Sequence, residues 1–361
     1  MKKLDYLWQV LNTVLTLTKR TKEVKWLIWG IPLFSIVGGL IIGAFILILT
    51  GKSPILVYKE MFLTSLGSFY GFSEVVVKFI PLLLCSLGVL VAFRMLFWNI
   101  GAEGQFYIGA IVSTGLALKL SHLSTCQLLP ILFIGGFAGG ALWAVMTAVL
   151  KAYLNTNEII TSLMLNYVAF YMVEYLVYGP WKDPSGYGFP LTPQIPQSAV
   201  LPTFCNTRIH IGLIVAFICW ILIWYLFKTP WGYELKVIGY SPKSAEYIGI
   251  KTKRNILLAL LIGGGLAGIA GMTEVCGLVY RLQHGFAPGY GYTAIIIAWL
   301  SRLNPLATVM VSFFFSILSV GAAGVEITFK LPASLINLIQ GAIFLCMLTG
   351  EVFIDHFIVK K

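Results

Sequence analysis

The sequence predicts an all-α fold, a polytopic membrane bundle of about ten transmembrane helices, some of them broken or re-entrant. Of the 361 residues, 58% are hydrophobic and only 11% are charged, whereas soluble domains carry about 25% charged residues. The apolar residues also fall into long stretches, and about 20 such residues in a helix cross a bilayer. The predicted spans are 26–50, 75–93, 104–121, 128–150, 158–178, 209–228, 255–275, 290–301, 305–323 and 332–350.

The basic residues predict the orientation of these spans. A net charge of +11 would suit nucleic acid, but Lys and Arg cluster in a few loops, as topology signals do. We therefore expect no nucleic-acid partner. With the N-terminus inside, most of the 25 Lys and Arg residues fall in inner segments, and Lys78 counts among the few outer ones. The positive-inside rule then places both termini in the cytoplasm.

The predicted domain organisation is simple. Residues 1–25 form a basic amphipathic leader on the inner membrane surface, residues 26–350 form one transmembrane domain, and residues 351–361 form a cytoplasmic tail. The longest outer loop, 179–208, is rich in proline, which stiffens an exposed connection. This loop is either a structured cap or a docking surface for an outside partner.

A polar segment from Asn99 to Gln105 interrupts one of the most apolar regions. An acid at the centre of a span costs about 2.5–3.5 kcal/mol, so Glu103 is functional by default. Gly101 and Gly104 loosen the helix, and a broken helix is tolerated only where it packs in protein or lines a water-filled path. Glu103 either contacts the cargo or caps the broken helix by accepting backbone N–H bonds.

A second segment repeats this arrangement. Arg94 is followed ten residues later by Gly104, and Arg281 is followed ten residues later by Gly291. Interrupted segments at matching positions in two halves point to a transport site, although chance is the alternative in a chain so rich in glycine. The glycines of residues 263–271 place small residues four apart, which lets a neighbouring helix approach closely.

The longest inner loop, 229–254, predicts a short helix over 240–250. Ser241 can cap it, Pro242 suits its first turn, and Gly249 ends it. A helix this short needs docking to be stable. The alternative is an ordinary connecting loop.

Signatures of catalysis are missing. The sequence contains no phosphate-binding loop, no HExxH and no serine nucleophile elbow. Its four histidines are scattered, and its six cysteines form no CxxC pair, which fits core residues better than metal ligands or disulfides. We therefore predict no catalytic residue, no metal site and no enzyme.

Several motifs, in order over about residues 30–350, carry a family resemblance. They are Pro81-Leu-Leu-Leu with Gly88, Phe97-Trp-Asn-Ile-Gly-Ala-Glu-Gly-Gln-Phe, Asn157-Glu-Ile-Ile-Thr-Ser-Leu-Met-Leu-Asn-Tyr, Gly232-Tyr-Glu-Leu-Lys-Val-Ile-Gly-Tyr-Ser-Pro, Gly268-Ile-Ala-Gly and Gly289-Tyr-Gly-Tyr-Thr-Ala-Ile. With these motifs the chain resembles the integral-membrane permease subunits of ATP-binding-cassette (ABC) importers, in the group that includes ribose and branched-chain amino acid permeases. Within that group it is most similar to nucleoside permeases that work with basic-membrane-protein lipoproteins.

The resemblance implies partners and an energy source. It implies a second homologous permease in a heterodimer, cytoplasmic ABC ATPases that use ATP and Mg²⁺, and an extracytoplasmic substrate-binding lipoprotein. This chain would bind no cofactor and would lie in a bacterial plasma membrane. The short helix would be the coupling helix that docks on an ATPase, with the residues Gly239, Ser241, Pro242, Ala245, Glu246 and Gly249.

The cargo implied by the resemblance is a purine-like nucleoside, with simple sugars and riboflavin-like heterocycles as alternatives. Amides and carboxylates pair with ring hydroxyls and base edges, and an aromatic ring can stack on a base. Asn166 is alternatively an interhelical hydrogen bond. The rival of another class is a proton-coupled secondary transporter that uses Glu103 or Glu274 as a proton relay. The predicted substrate-path residues are Asn99, Glu103, Gln105, Asn166, Tyr167 and Glu274.

Overall fold

The computed structural model describes residues 15–19, 25–186, 188–204 and 207–360. Almost all of its regular structure is helical, as predicted. Two short strands, β1 (Leu15–Lys19) and β2 (His356–Lys360), pair antiparallel. The α-helices are α1 (Lys25–Leu49), α2 (Pro54–Leu66), α3 (Phe69–Phe93), α4 (Ala102–Lys119), α5 (Thr125–Leu154), α6 (Glu158–Tyr178), α7 (Gly212–Leu226), α8 (Pro230–Tyr240), α9 (Pro242–Tyr247), α10 (Thr252–Glu274), α11 (Tyr290–Leu300), α12 (Pro305–Phe329) and α13 (Ala333–Asp355).

Each of the ten predicted spans contains a helix. Among the described residues, five helices are long and apolar enough to cross a membrane, namely α3, α5, α6, α12 and α10 with its π-helical extension to Val279. Two bent pairs raise the number to seven: α1 with α2 at 118° and α7 with α8 at 72°. Helices α2 and α8 lie in segments that the sequence predicted as loops, because both carry charges and lack a long apolar run.

The predicted leader is only partly described. Residues 1–14 and 20–24 lie outside the described residues, and Leu15–Lys19 form the strand β1. The chain contacts divide the molecule into two compact units, Met1–Met61 with Ala322–Lys361, and Phe62–Gly321. In the first unit, α1 packs on α13.

In the second unit, α10 is the central helix and packs on α3, α4 and α5. Its predicted glycine stripe makes these contacts at backbone distance. A Cβ on Gly268 would lie 2.1 Å from the carbonyl oxygen of Gly136, and one on Gly263 would lie 2.6 Å from that of Gly88. The small residues therefore allow the neighbouring helices to approach α10 more closely than side chains would permit.

The proline-rich segment between α6 and α7 forms a structured cap over the end of α10. Its backbone pairs with the residues that follow the helix: the N–H of Thr192 donates to Leu282 O at 2.9 Å, and that of Leu201 donates to Cys276 O at 3.0 Å. Ile195 is 6% exposed and Leu201 is 1% exposed, and both pack into an apolar cluster with α5. The described part of this segment is therefore structured and packed against the end of α10.

Candidate functional site

The first turn of α11 is the point where the predicted polar residues converge. Its N-cap, Gly289, has a φ of +85° and offers no side chain. The cap comes instead from Glu103 on α4: the Gly291 N–H donates to Glu103 Oε2 at 2.6 Å. Glu103 is 2% exposed, so this carboxylate satisfies a buried N–H that would otherwise lack a partner.

The N-termini of α4 and α11 lie directly against each other. A Cβ on Gly291 would lie 2.3 Å from the Glu103 backbone nitrogen and 2.7 Å from the Ala102 carbonyl carbon. Because each helix N-terminus carries a partial positive charge, a carboxylate between two of them stabilises both. Gly104 and Gly291, paired by the sequence repeat, thus lie in the first turns of two helices that meet.

Helix α6 holds the segment that precedes α4. Asn166 Oδ1 accepts a hydrogen bond from the Gly104 N–H at 2.8 Å, and its Nδ2 donates to Ile100 O at 2.9 Å. The same Nδ2 donates to the hydroxyl of Tyr292 at 3.3 Å. Ser162, one turn earlier, accepts from the Ile100 N–H at 3.1 Å. Asn166 is therefore an interhelical hydrogen-bonding residue that joins α6 to the first turns of α4 and α11.

Asn99 and Gln105 bind each other. The Asn99 amide donates to Gln105 Oε1 at 3.3 Å, and the Gln105 amide donates to Asn99 Oδ1 at 3.2 Å. Asn99 Oδ1 also accepts from the Gly101 N–H at 3.0 Å. Both side chains are 1% exposed, so this pair shapes the entry into α4.

Glu274 lies in a second polar cluster beside the same turn. It is 2% exposed and forms an ion pair with Lys78 at 3.4 Å. The ammonium of Lys78 donates to the Tyr290 hydroxyl at 2.8 Å, and that hydroxyl lies 3.4 Å from Glu274 Oε1. Lys78, which was counted among the outer residues from the sequence, lies inside α3, nine residues after its first residue Phe69.

Tyr167 follows Asn166 on α6 but takes part in none of these described hydrogen bonds. Its side chain is 48% exposed, and its ring meets Phe170 edge-on at 6.1 Å. An aromatic cluster that the sequence interpretation missed packs beside the turn instead: Phe286 lies 5.7 Å from Phe106 and 4.8 Å from Tyr107. The available signal was the position of these rings, directly after Gln105 and inside the repeated glycine-rich segment.

The inner loop forms two helices, α8 and α9, rather than the single predicted helix over 240–250. Ser241 caps α9 by accepting the Ser244 N–H at 3.2 Å, and Pro242 occupies its first turn. Gly249, with a φ of +86°, follows the helix. Within α9, Ala245 is buried and Glu246 is exposed.

Helix α8 is tied to its neighbours on two sides. A Cβ on Gly239 would lie 2.8 Å from the carbonyl oxygen of Arg94, so α8 touches the end of α3 at backbone distance. On the other side, Asn255 of α10 donates to Glu234 at 2.8 Å and accepts from Trp231 Nε1 at 3.0 Å. These contacts make the loop a rigid attachment to two long helices.

A buried polar cluster where two helix N-termini meet, among long apolar helices, is typical of a multi-pass membrane transporter. The chain belongs to the family of permease components of the branched-chain amino acid transport system, whose profile matches residues 71–348. This confirms the family predicted from the motifs.

Individual relatives match over most of the chain. A glucose ABC transporter permease of Haloferax volcanii is 34% identical, over 95% of this chain and 93% of its own. A nucleoside ABC transporter permease of Lactococcus lactis is 29% identical, over 87% of this chain and 88% of its own. A guanosine permease of Bacillus subtilis is also 29% identical, over 87% and 91%. Among solved structures, PsaBC from Streptococcus pneumoniae in complex with Fab is 16% identical, with a TM-score of 0.47, over 81% of this chain and 95% of its own.

Proposed function

We propose that the chain is one permease of an ATP-driven importer that moves a nucleoside into the cell. The observation that carries this proposal is the meeting of two helix N-termini at Glu103, in a chain of this permease family. About ten spans, both termini in the cytoplasm and a location in a bacterial plasma membrane complete the proposal. Proton-driven transport would need an acid that binds and releases a proton in each cycle. Glu103 instead accepts a hydrogen bond from the first turn of α11.

A separate ABC ATPase, using ATP and Mg²⁺, supplies the energy through α9. A large apolar or aromatic surface on a polar loop marks a docking site. Tyr240, Tyr247 and Ile248 are 80%, 93% and 64% exposed. A six-residue helix is not stable alone, so docking in a partner's cleft would hold it.

The contacts offer a route from α9 to the buried cluster. Gly239, at the end of α8, touches the backbone of Arg94 and Met95. The chain then runs from Met95 through Asn99 to α4, where Glu103 holds α11. We expect a displacement of the loop to reach the first turns of α4 and α11 through these contacts.

A second permease covers the exposed face of α6. Four tyrosines repeat along this face: Tyr167, Tyr171, Tyr175 and Tyr178 are 48%, 65%, 71% and 61% exposed. A hydroxyl facing hydrocarbon in mid-span lacks a hydrogen-bond partner. The second permease and the cargo path between the two subunits would supply partners, and this exposure supports Tyr167 as a residue of the path.

The relatives support a hydroxyl-rich cargo. Both nucleoside-type relatives support a nucleoside, and the glucose permease supports a sugar as the second candidate. Asn99, Glu103, Gln105 and Asn166 would shape the path from its buried side, and Glu274 would face it through Lys78. The substrate-binding lipoprotein would deliver the cargo at the capped outer end.

We expect cells or proteoliposomes with the complete transporter to accumulate guanosine when ATP is present. Uptake should disappear on ATP depletion and persist with a protonophore, because the ATPase supplies the energy. Radiolabelled guanosine and glucose, each competed by the other, give the measurement. Uptake of glucose alone would select the sugar candidate, and loss of uptake with the protonophore at constant ATP would refute the ATP-driven class.

Replacing Glu246 by lysine should uncouple ATP hydrolysis from uptake. Its side chain is exposed on α9, so reversing its charge should disturb a docked partner and leave the fold intact. We expect at least a fivefold fall in uptake per ATP hydrolysed, measured in proteoliposomes. Glu246→Gln keeps the size of the side chain and removes only its charge. Its uptake per ATP hydrolysed should lie between those of the wild type and Glu246→Lys. Unchanged coupling in Glu246→Lys at normal protein levels would contradict the docking role.

A further inference from the structure

A polar stripe follows one face of α3 inward from its first turn. Tyr70 is 65% exposed, and the side chains of Glu74 and Lys78, one and two turns further on, are 16% and 27% exposed. The next residue on this face, Leu82, is 1% exposed. The accessible face therefore ends at Lys78, where the ammonium meets the buried pair of Glu274 and Tyr290.

The stripe carries balanced charges. Arg208, 45% exposed, pairs with Glu74 through Nη1 at 3.1 and 3.2 Å from its two carboxylate oxygens. One turn deeper, Lys78 pairs with a single oxygen of Glu274, Oε1, at 3.4 Å. Positive and negative groups alternate along the stripe, so it favours a neutral polar molecule over an anion or a cation.

Lys78 retains the means to bind such a molecule. An ammonium group has three N–H donors, and the described contacts of Lys78 use two of them, on Glu274 and Tyr290. Glu274 and Tyr290 are 2% and 3% exposed, so both partners are held in place by packing. A charged residue in a span is costly and faces a polar cavity or pathway, and this one reaches accessible space.

We propose that Lys78, supported by Glu274 and Tyr290, forms a binding site for a hydroxyl group of a neutral, polyhydroxylated cargo. The site is the inner end of the stripe that begins at Tyr70. The inference rests on the proposed import function and names the part of the cargo that is recognised, the sugar ring that nucleosides and hexoses have in common. The third N–H of Lys78 donates to a ring hydroxyl, and Glu74 accepts from the hydroxyl beside it.

Chemical replacement of the ammonium tests this site. In the complete transporter in proteoliposomes, Lys78→Cys should lower cargo uptake at least tenfold. Treatment with 2-aminoethyl methanethiosulfonate forms a disulfide with the thiolate, releases methanesulfinate and restores an ammonium group. It should return at least half of the uptake, whereas methyl methanethiosulfonate, which adds no charge, should not.

Two controls frame the result. Lys151 has nearly the same exposure, 29%, and its own partner Glu158 at 2.8 Å, so Lys151→Cys should keep uptake within twofold. Wild type treated with both reagents reports on the native cysteines. Equal rescue by both reagents, failure of the aminoethyl reagent to rescue, or uptake by Lys78→Cys within twofold of wild type would overturn the proposal.

A double variant without either charge tests the proposal if Lys78→Cys does not reach the membrane. Lys78→Gln with Glu274→Gln removes both charges of the ion pair and retains hydrogen-bonding groups, so we expect it to fold and to lose uptake at least tenfold. Wild-type uptake in this double variant would overturn the proposal. Failure of the wild-type transporter to import any nucleoside or sugar would instead refute the proposed function itself.

Discussion

Gly268→Ala is expected to prevent correct packing of the second unit, although it adds a single methyl group. That methyl would lie 2.1 Å from Gly136 O, 2.9 Å from Gly140 N and 3.0 Å from Gly140 Cα. All three are backbone atoms of α5, so the helix itself must move. Overpacking in a rigid core typically costs about 1–3 kcal/mol, and the backbone contact places this change at the upper end or beyond.

The yield of monodisperse protein in detergent and its thermal stability give the measurement. We expect at least a fivefold lower yield for Gly268→Ala. Gly341→Ala is the matched control, because Gly341 lies inside α13 with no atom within 4 Å of its added Cβ. Alanine there should be neutral or stabilising by up to about 1 kcal/mol through helix propensity. Equal yields for the two variants would show that the glycine contact is not required.

Much of the helical architecture was predictable from local pattern. The apolar run of 158–178 gave the bounds of α6, and the glycines of 263–271 predicted a close helix contact without naming the partner. Ser241, Pro242 and Gly249 predicted the cap, first turn and end of α9, because these residue types act through their own backbone. Helix α8 was missed because its charges and glycines resemble a loop.

The site depends on contacts that no local pattern contains. Glu103 and its hydrogen-bond donor Gly291 are 188 residues apart, and the repeat indicated only that both segments are interrupted. Lys78 was counted among the outer residues although it falls within the predicted span 75–93, and the structure places it inside α3. Its partner Glu274, 196 residues away, is what makes a charge inside α3 tolerable. The contacts of the site therefore depend on burial and on pairing between distant residues, which the sequence pattern does not contain.

Glu103→Gln should lower the maximal rate of uptake at least tenfold while the ATP requirement persists. The carboxylate accepts a charge-assisted hydrogen bond from the first turn of α11, and such bonds contribute about 1.5–3 kcal/mol. A glutamine can present one oxygen to Gly291, but it loses the negative charge that two helix N-termini have in common. The ends of α4 and α11 should then separate more easily, which would alter the proposed cargo path beside them.

The kinetic pattern distinguishes a positioning role from cargo contact or proton transfer. Uptake measured against the concentration of cargo-loaded binding protein should show a reduced maximal rate with an unchanged KM, since Glu103 is buried behind the helix ends. Glu326→Gln, at an exposed glutamate of α12, controls for removal of a carboxylate, and its uptake rate should stay within twofold of wild type.

A changed cargo preference in Glu103→Gln would instead assign the carboxylate to cargo binding. Uptake by the wild type that collapses with a protonophore while ATP is held constant would restore Glu103 as a proton relay. An ATP-dependent, protonophore-resistant loss of rate leaves the helix cap as the function of this acid, because only that role needs its charge to stay in place throughout the cycle.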